Sequence, residues 1–338
     1  DIAGQIREGD TVAWSSGAAE PTVLLLALNE QLDRVPSCRA FIGLSVSTTL
    51  DAARMGRHMR AVTLGGAGTN QRFAAVENMD VLPAHYSALP RLVADGHLKL
   101  DVVLVQLARD GADHRLTLMT DYLTPALPRA RTVIAEVNDQ APCVLGDTAV
   151  SAADIDVIVQ VSHPPVEIPA TMPGDAARAI GAHVARLIGD GATLQVGLGA
   201  LPDACLMALT GKRDLGLHSG VIGDRAADLV DAGIVTNRHK PLDTGLSVTA
   251  GLLGTQRLYQ WAHRHPLLRM RNAVYTHDIA THAQLPNLIG INSALEVDLT
   301  GQMNAEVAGG RSIGMIGGHG DFMRGCQRSP GGRAILAL

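Results

Sequence analysis

Two stretches of the chain align without a gap: Glu8-Gly-Asp-Thr-Val-Ala-Trp-Ser-Ser-Gly-Ala18 and, 182 residues later, Asp190-Gly-Ala-Thr-Leu-Gln-Val-Gly-Leu-Gly-Ala200. In each, an acidic-Gly turn leads into a short apolar strand that begins at threonine. Gly-Ala follows, then a proline within three residues, then a leucine-rich helix, at Val23 to Leu28 in the first copy and Ala204 to Leu209 in the second. Glycine at a strand exit and proline near a helix start are what those backbone positions favour. One such unit would constrain little. Its recurrence predicts two copies of a strand-turn-helix module, hence two related open α/β domains. The length of 338 residues agrees, since a single core rarely grows that large.

Between the copies, the apolar runs Asp101 to Leu107, Thr132 to Val137 and Ile155 to Val161 read as buried strands, being short, β-branched and bounded by turn residues. Helical spacing appears at Asp121 to Ala130 and at Asp175 to Ile188, the latter behind a Pro-Gly-Asp start. Strands alternating with helices imply mainly parallel sheets covered on both faces. His163-Pro-Pro-Val-Glu-Ile-Pro-Ala-Thr-Met-Pro-Gly174 carries four prolines and can continue neither element. The expected division is therefore a first domain over 1–165, a linker over 166–174 and a second domain over 175–338.

Composition excludes several function classes. Aromatics are 3% and the net charge is −5, so neither a stacking platform nor a basic stripe for nucleic acid is on offer. The cysteines, Cys38, Cys143, Cys205 and Cys326, show no CxxC spacing, which argues against a zinc site or a disulfide framework and fits a cytoplasmic setting. No apolar run approaches the ~20 residues of a membrane span, and no signal-peptide pattern opens the chain. Starting almost at a strand and stopping on Ala334-Ile-Leu-Ala-Leu338, both ends read as trimmed.

Four motifs occur in order in the second half: Gly197-Leu-Gly-Ala-Leu-Pro-Asp-Ala204, Gly216-Leu-His-Ser-Gly-Val-Ile-Gly-Asp224, Asn292-Ser-Ala-Leu-Glu-Val-Asp-Leu-Thr-Gly-Gln302 and Gly317-Gly-His-Gly-Asp-Phe-Met-Arg-Gly325. With Val133-Ile-Ala-Glu-Val-Asn138, Leu145-Gly-Asp147 and His163-Pro-Pro in the first half, the chain resembles the acetyl-CoA hydrolase/4-hydroxybutyrate CoA-transferase family over nearly its whole length. The resemblance implies acyl-CoA bound in the cleft between two α/β domains. It implies an acyl-CoA thioester and a small carboxylate or water as reactants, no permanently bound cofactor, and a homodimer. It also implies a glutamate that attacks the thioester and then carries CoA, splitting one acyl transfer into two covalent steps. Family members commonly read Gly-Ile-His-Thr-Glu where this chain reads Gly216-Leu217-His218-Ser219-Gly220, so the carboxylate expected at Gly220 is absent. Members also continue beyond the strand matching Ile335 to Leu338 with a segment that helps cover CoA.

Three readings follow for the site. In the first, the chain still acts on acyl-CoA through another group or a water, hydrolysis being the simplest outcome. Asp224 is then a candidate if its loop turns into the cleft, although as the residue before a helix it also fits an N-cap. His218 and His319 are the nearby groups that exchange protons near neutral pH. In the second, transfer proceeds through Glu296, Asp298 or Glu306, the alternation of Ala294 to Leu299 placing Glu296 and Asp298 on one face of a strand. In the third, the protein binds acyl-CoA or a partner without turnover. For binding, the Gly197, Leu198, Gly199, Ala200 and Leu201 turn follows a strand and opens a helix, so its amides can face a ligand. Pro202 replaces the third glycine of a dinucleotide fingerprint. Gly314, Gly317 and Gly318 allow close approach to the thioester and pantetheine arm, and Asn292 is a donor for the acyl carbonyl. Arg324 and Arg328 are candidates for a carboxylate or phosphate, with an Arg324–Asp321 pair as the structural alternative. Gly65-Gly-Ala-Gly-Thr-Asn-Gln71 reads as a flexible turn or a closing loop.

Overall fold

The repeat reappears as topology. A computed structural model describes residues 1–338, and two separate, mainly parallel sheets are built with a like order of parallel strands. The first contains β1 (Thr11–Trp14), β2 (Cys38–Ile42), β3 (Met59–Thr63), β4 (Met79–Val81), β5 (Val102–Asp110), β6 (Asp113–Leu116), β7 (Thr132–Asn138), β8 (Ala149–Val150) and β9 (Val157–Val161). Its parallel strands run β4-β3-β2-β1-β5-β7-β9. β5 outruns β1 and pairs beyond it with antiparallel β6, which in turn pairs with β8. The second half holds β10 (Thr193–Val196), β11 (Gly216–Ile222), β12 (Ser247–Leu252), β13 (Leu268–Met270) and β14 (Leu288–Ser293). Two small hairpins follow, β15 (Glu296–Val297) with β16 (Met303–Asn304) and β17 (Val307–Ala308) with β18 (Arg311–Ser312), and β19 (Arg333–Ala337) closes the chain. The sheet order is β13-β12-β11-β10-β14-β19, all parallel. The two aligned motifs are the equivalent strands β1 and β10, each inside its sheet. Between the sheets' outermost elements, β9 and the helix Asp175–Arg186, the chain crosses over residues 162–174 with no strand or α-helix.

β5 and β7 are buried along nearly their whole length because apolar packing covers both faces of the first sheet. β9 differs from expectation. It lies at the sheet edge with Val157 41% and Ile158 46% exposed, so it is an edge strand rather than a buried one. The helix expected over Asp121 to Ala130 shrinks to Leu123–Ala126 plus a 3-10 turn over Leu127–Arg129. Pro125 and Pro128 remove backbone donors there.

Polar residues quoted as motif in the first half turn out to serve this packing. Glu136 is fully buried and accepts from the Val23 and Leu24 amides, the unpaired N-terminal donors of the helix Thr22–Glu30, at 2.9 and 3.0 Å. His163 Nε2 lies 2.8 Å from the same carboxylate. Glu20, also buried, gathers Ser45 Oγ at 2.6 Å and the Ser47 amide at 2.7 Å, fixing the loop after β2.

The two halves are joined by backbone hydrogen bonds as well as by side chains. Leu252 N donates to Leu118 O at 2.7 Å and Thr120 N to Ala250 O at 3.1 Å, so residues 118–120 lie along β12. Met270 N donates to Leu145 O and Asp147 N to Met270 O, both at 2.8 Å, so Leu145-Gly-Asp147 caps the edge of β13. The apolar core of the second sheet accordingly takes in Ala18, Ala19, Leu118, Met119 and Val144 from the first half. Gly146 sits at φ +134°, and a Cβ there would lie 2.1 Å from Met270 O. Gly146→Ala is therefore expected to destabilise the protein by about 2–4 kcal/mol, whereas Gly174→Ala, with open space around it, changes stability by less than about 0.5 kcal/mol. Urea unfolding of both variants checks this, and equal midpoints would show that the seam at β13 is not a stabilising contact.

Candidate active site

The two faces of the second sheet have opposite characters. Leu194 and Val196 on β10, Leu217 on β11 and Ile289 and Ile291 on β14 enter the apolar core. Alternation along the strands turns Gln195, His218, Gly220, Gly290 and Asn292 to the other face. That face carries glycines and neutral polar groups, and the helices Ala273–Thr276, Ile279–Ala283 and His319–Arg328 cover it. A Cβ at Gly290 would meet Cys326 Sγ at 2.8 Å, and one at Gly220 would meet His277 Nε2 at 2.6 Å and Phe322 at 3.2 Å.

His277 lies between two glycines. Its imidazole would also stand 2.7 Å from a Cβ at Gly318, so a side chain at either 220 or 318 would collide with the ring. Tyr86 of the first half packs on the ring with centroids 4.8 Å apart, and Phe322 packs at 5.0 Å. Thr276 organises the histidines. Its hydroxyl reaches Asn272 O at 3.2 Å and His277 Nδ1 at 2.9 Å, while its carbonyl receives His218 Nε2 at 3.2 Å and His282 Nε2 at 2.8 Å. Desolvation dominates their titration. Burial holds His218 and His282 below the ordinary histidine value and takes His277 down to about 3. The cluster is neutral at physiological pH.

Contacts between the halves close the region from above. Tyr86 N donates to Gly317 O at 2.9 Å. The buried Asp321 carboxylate accepts from Ser87 N at 3.0 Å and Ser87 Oγ at 2.7 Å. Gly66 N donates to Ser312 Oγ at 2.9 Å, and Gly65 forms a bridge with Met315. The glycine loop over residues 65–71 is thus no free turn, because it is tied to the 312–315 segment. Farther along the seam, a cavity of about 330 Å³ is lined by Pro90, Arg91, Asp121, Thr124, Asn272 and Val274 among others. Burial raises the Asp121 carboxyl there to about 6.

Several expected site residues lie elsewhere. Asp224 is the first residue of the helix Asp224–Asp231, with Gly223 at the cap, and its carboxylate accepts from Thr255 N at 3.0 Å and Thr255 Oγ1 at 2.6 Å. With Arg257 at 3.2 Å as well, it ties down the loop after β12 instead of facing the cleft. Glu296 and Asp298 are exposed, the former bonded to Asn304 Nδ2 at 2.8 Å and the latter holding the Thr300 and Gln302 amides. Glu296 sits in a strand of only two residues that forms a hairpin away from the sheet, and Asp298 follows it. The space beside Gly314 and Gly318 is taken by protein, by the Ala305 carbonyl and His277 respectively. Gly317, at φ +50°, serves the turn. Asn292 Nδ2 already donates to Gln195 Oε1 at 3.0 Å. Arg324 makes its pair with Asp321 at 3.3 Å.

The glycine-rich strand exit and His319 remain available. Gly199 adopts φ +117°, a conformation open to glycine, and precedes the helix Ala200–Met207, while Leu198 is 37% exposed. His319 Nε2 is buried without a partner. His218 is fully buried, and His277, which no motif marks, reaches the Gly220 space in its stead. Only the fold brings residue 277 onto residue 220, so no spacing in the sequence signals it.

A neutral buried cluster makes stability pH-dependent. Unfolded histidines take up protons below about pH 6.5, whereas His277 folded resists until about 3. The stabilisation is complete above the unfolded value and is lost as pH falls, by about 1.4 kcal/mol per pH unit for each such histidine. Between pH 6.5 and 5 the unfolding free energy of His277→Gln is expected to fall less steeply than that of the wild type by the share of one group, about 2 kcal/mol. Denaturant titrations across this range check it, and parallel slopes would mean that native His277 takes up protons like an exposed histidine.

Comparison with known proteins adds the family. The acetyl-CoA hydrolase/transferase N-terminal domain matches residues 1–169, and the C-terminal domain of the same name matches residues 254–338. A 4-hydroxybutyrate coenzyme A transferase of Clostridium kluyveri is 35% identical, covering 99% of this chain and 79% of its own length. The structure of RipA from Yersinia pestis superposes with a TM-score of 0.92 at 29% identity, over 99% of this chain and 80% of that one. A 4-hydroxybutyrate CoA-transferase from Porphyromonas gingivalis gives 0.81 at 27% identity, over 99% and 78%. With family matches in both halves and a relative aligned over 99% of this chain, this chain belongs to the acetyl-CoA hydrolase/transferase family of enzymes.

Proposed function

We propose that the protein acts on a small acyl-CoA thioester where its two halves meet, and that it does so without a glutamyl-CoA intermediate at position 220. The observation that carries this reading is the imidazole of His277 filling the space a side chain at Gly220 would enter. Three of the four carboxylates weighed as substitutes support it from the other side; the fourth, Glu306, is half-buried beside Gly314, its carbonyl accepting from Ile313 N at 2.8 Å and Gly314 N at 3.0 Å. Asp224 is committed to Thr255 and Arg257, and Glu296 and Asp298 stand in solvent. With no carboxylate at 220 to carry CoA between two acyl groups, water is the simplest acceptor and hydrolysis the simplest outcome. CoA enters as part of the substrate, not as a resident cofactor, with the turn at Gly197 to Leu201 as its candidate cradle. We further propose two domains divided within 166–174, a homodimer and a cytoplasmic setting; no helix is long and apolar enough to cross a membrane.

A second reading, acyl-CoA binding without turnover, draws on the same filled space, since Gly314 and Gly318 are occupied by protein as well. Thiol release separates the two. Acetyl-CoA and succinyl-CoA are expected to yield free CoA with no carboxylate present. Release only on adding acetate would return the protein to transfer, and tight binding with no release would favour the second reading. Gly220→Glu alone is expected to lower stability by about 1–3 kcal/mol and to gain no transferase activity, because its Cβ would lie 2.6 Å from His277 Nε2. Combined with His277→Ala, which vacates the space, the same glutamate is expected to bring acetate-dependent CoA exchange above the level of either single variant. Exchange assays on the three proteins, beside their melting curves, test this. A single Gly220→Glu variant as stable as the wild type and active in exchange would show that the ring does not hold the space.

A further inference from the structure

The cavity of about 330 Å³ beside Asp121 shares no lining residue with the histidine cluster, and the reaction proposed above makes no use of it. Its place in the fold is that of a ligand site. Ser16, bonded to Asp121, follows the carboxyl end of β1, and Asn272 follows that of β13. Residues 118–120, which lead into Asp121, lie along β12, so the cavity sits where the carboxyl ends of the two sheets meet. Open α/β folds bind their ligands outside the carboxyl ends of parallel strands.

The groups around this cavity are unmatched within the protein. Asp121 is 1% exposed; its Oδ2 accepts from Ser16 N at 3.2 Å, while its Oδ1 is buried with no partner. A buried carboxylate oxygen without a donor is uncommon in native proteins and costs free energy until something supplies one. The backbone of Asp121 stands at φ +41°, in the left-handed region that side chains seldom adopt and that persists where the surroundings dictate it. The helix Leu89–Ala94 contributes the Arg91 guanidinium and, at its end, the Asp95 carboxylate, both exposed and neither in an ion pair. Asn272 spends its Oδ1 on the Tyr275 amide at 3.1 Å, which leaves its Nδ2 hydrogens to give. Pro90, Pro125 and Val274 add apolar wall.

We propose that this cavity binds a small molecule of the amino-acid class, its ammonium donating to Asp121 Oδ1 and its carboxylate accepting from Arg91 and Asn272 Nδ2. The lining is amphoteric. A simple anion would face two carboxylates, and a simple cation or metal ion would face the guanidinium, whereas a zwitterion answers both signs. Arg91 suits a carboxylate because its planar fork matches the two oxygens. The volume lies at the lower end of ligand pockets, which restricts the occupant to a small molecule. Because Asp121 and Asn272 come from different halves, an occupant held by both ties the seam together and stabilises the folded chain.

The site carries its own pH dependence. Burial raises the Asp121 carboxyl to about 6, so the ionised form that receives an ammonium prevails at pH 7.5 and is a minority at pH 5. The groups facing it are the Ser16 and Tyr122 hydroxyls, with Glu20 beyond Tyr122, and Arg91, Asp95 and Asn272 across the cavity.

Isothermal titration of the whole chain with glycine, β-alanine and 4-aminobutyrate, each to about 10 mM, tests the proposal, with butyrate and butylamine as controls that carry one charge each. At pH 7.5 at least one of the amino acids is expected to bind saturably, at least about tenfold more tightly than either control, and to raise the melting temperature. Asp121→Asn, which keeps an acceptor for Ser16 N, and Arg91→Gln are each expected to weaken that binding by about tenfold or more. At pH 5 the wild type is expected to bind about tenfold more weakly than at pH 7.5, in step with the ionised share of Asp121, and Asp121→Asn is expected to lose this dependence. Arg91 is exposed, so Arg91→Gln carries the test by itself where Asp121→Asn does not fold. No saturable binding of any of the three amino acids, a control that binds as tightly, or an affinity unchanged in a folded variant overturns the site.

Discussion

The seam between the halves is the constraint on which the site depends. Backbone groups of residues 118–120 bond β12, and those of 145–147 bond β13, so the two sheets are held by the same kind of directional bond that holds each sheet together. Close approach is needed for this. A Cβ at Gly146 would run into Met270 O, and one at Gly251 would lie 2.0 Å from Met119 Sδ. Once the seam is set, Tyr86 and Ser87 reach the 317–321 segment of the other half and cover the histidine face. Loosening the seam would therefore expose the cluster to water and relieve the desolvation that keeps it neutral.

Much of the fold was legible because it follows from repetition and burial. The aligned strands at Thr11 and Thr193 hold equivalent places in two sheets of like order, and the apolar runs that became β5 and β7 needed only the rule that doubly covered strands are continuously apolar. The failures have physical causes too. An apolar run does not reveal whether its strand lies inside the sheet, as β9 shows, and helical spacing over 121–130 counted for less than two prolines.

The site was legible in outline only. The motifs fall together in the fold, β11, β14 and the 317–325 segment converging on one sheet face. Side-chain roles within it depend on which neighbour takes which hydrogen bond, and sequence proximity misleads there. Asp224 lies four residues beyond Gly220 yet spends its carboxylate on Thr255, while His277, 57 residues away, fills the gap. Glycines were read as room for substrate, but a glycine equally makes room for protein, as Gly318 does for the imidazole and Gly314 for the Ala305 carbonyl.

Gly220, Gly318 and His277 therefore act as one unit. Any side chain at either glycine forces the ring aside, and removing the ring leaves an apolar-walled void against Phe322 and Tyr86. The ring in turn bonds the Thr276 hydroxyl, and the Thr276 carbonyl anchors His218 and His282, so one residue on one short helix orients three histidines. The same burial that makes a carboxylate costly on this face favours the uncharged form of an imidazole there. A carboxylate at 220 would find few free donors among the strand side chains of this face, since Gln195 and Asn292 bond each other and His218 bonds a carbonyl. A glutamate at this place therefore asks for a change at His277 as well as at Gly220, since the two positions share one space.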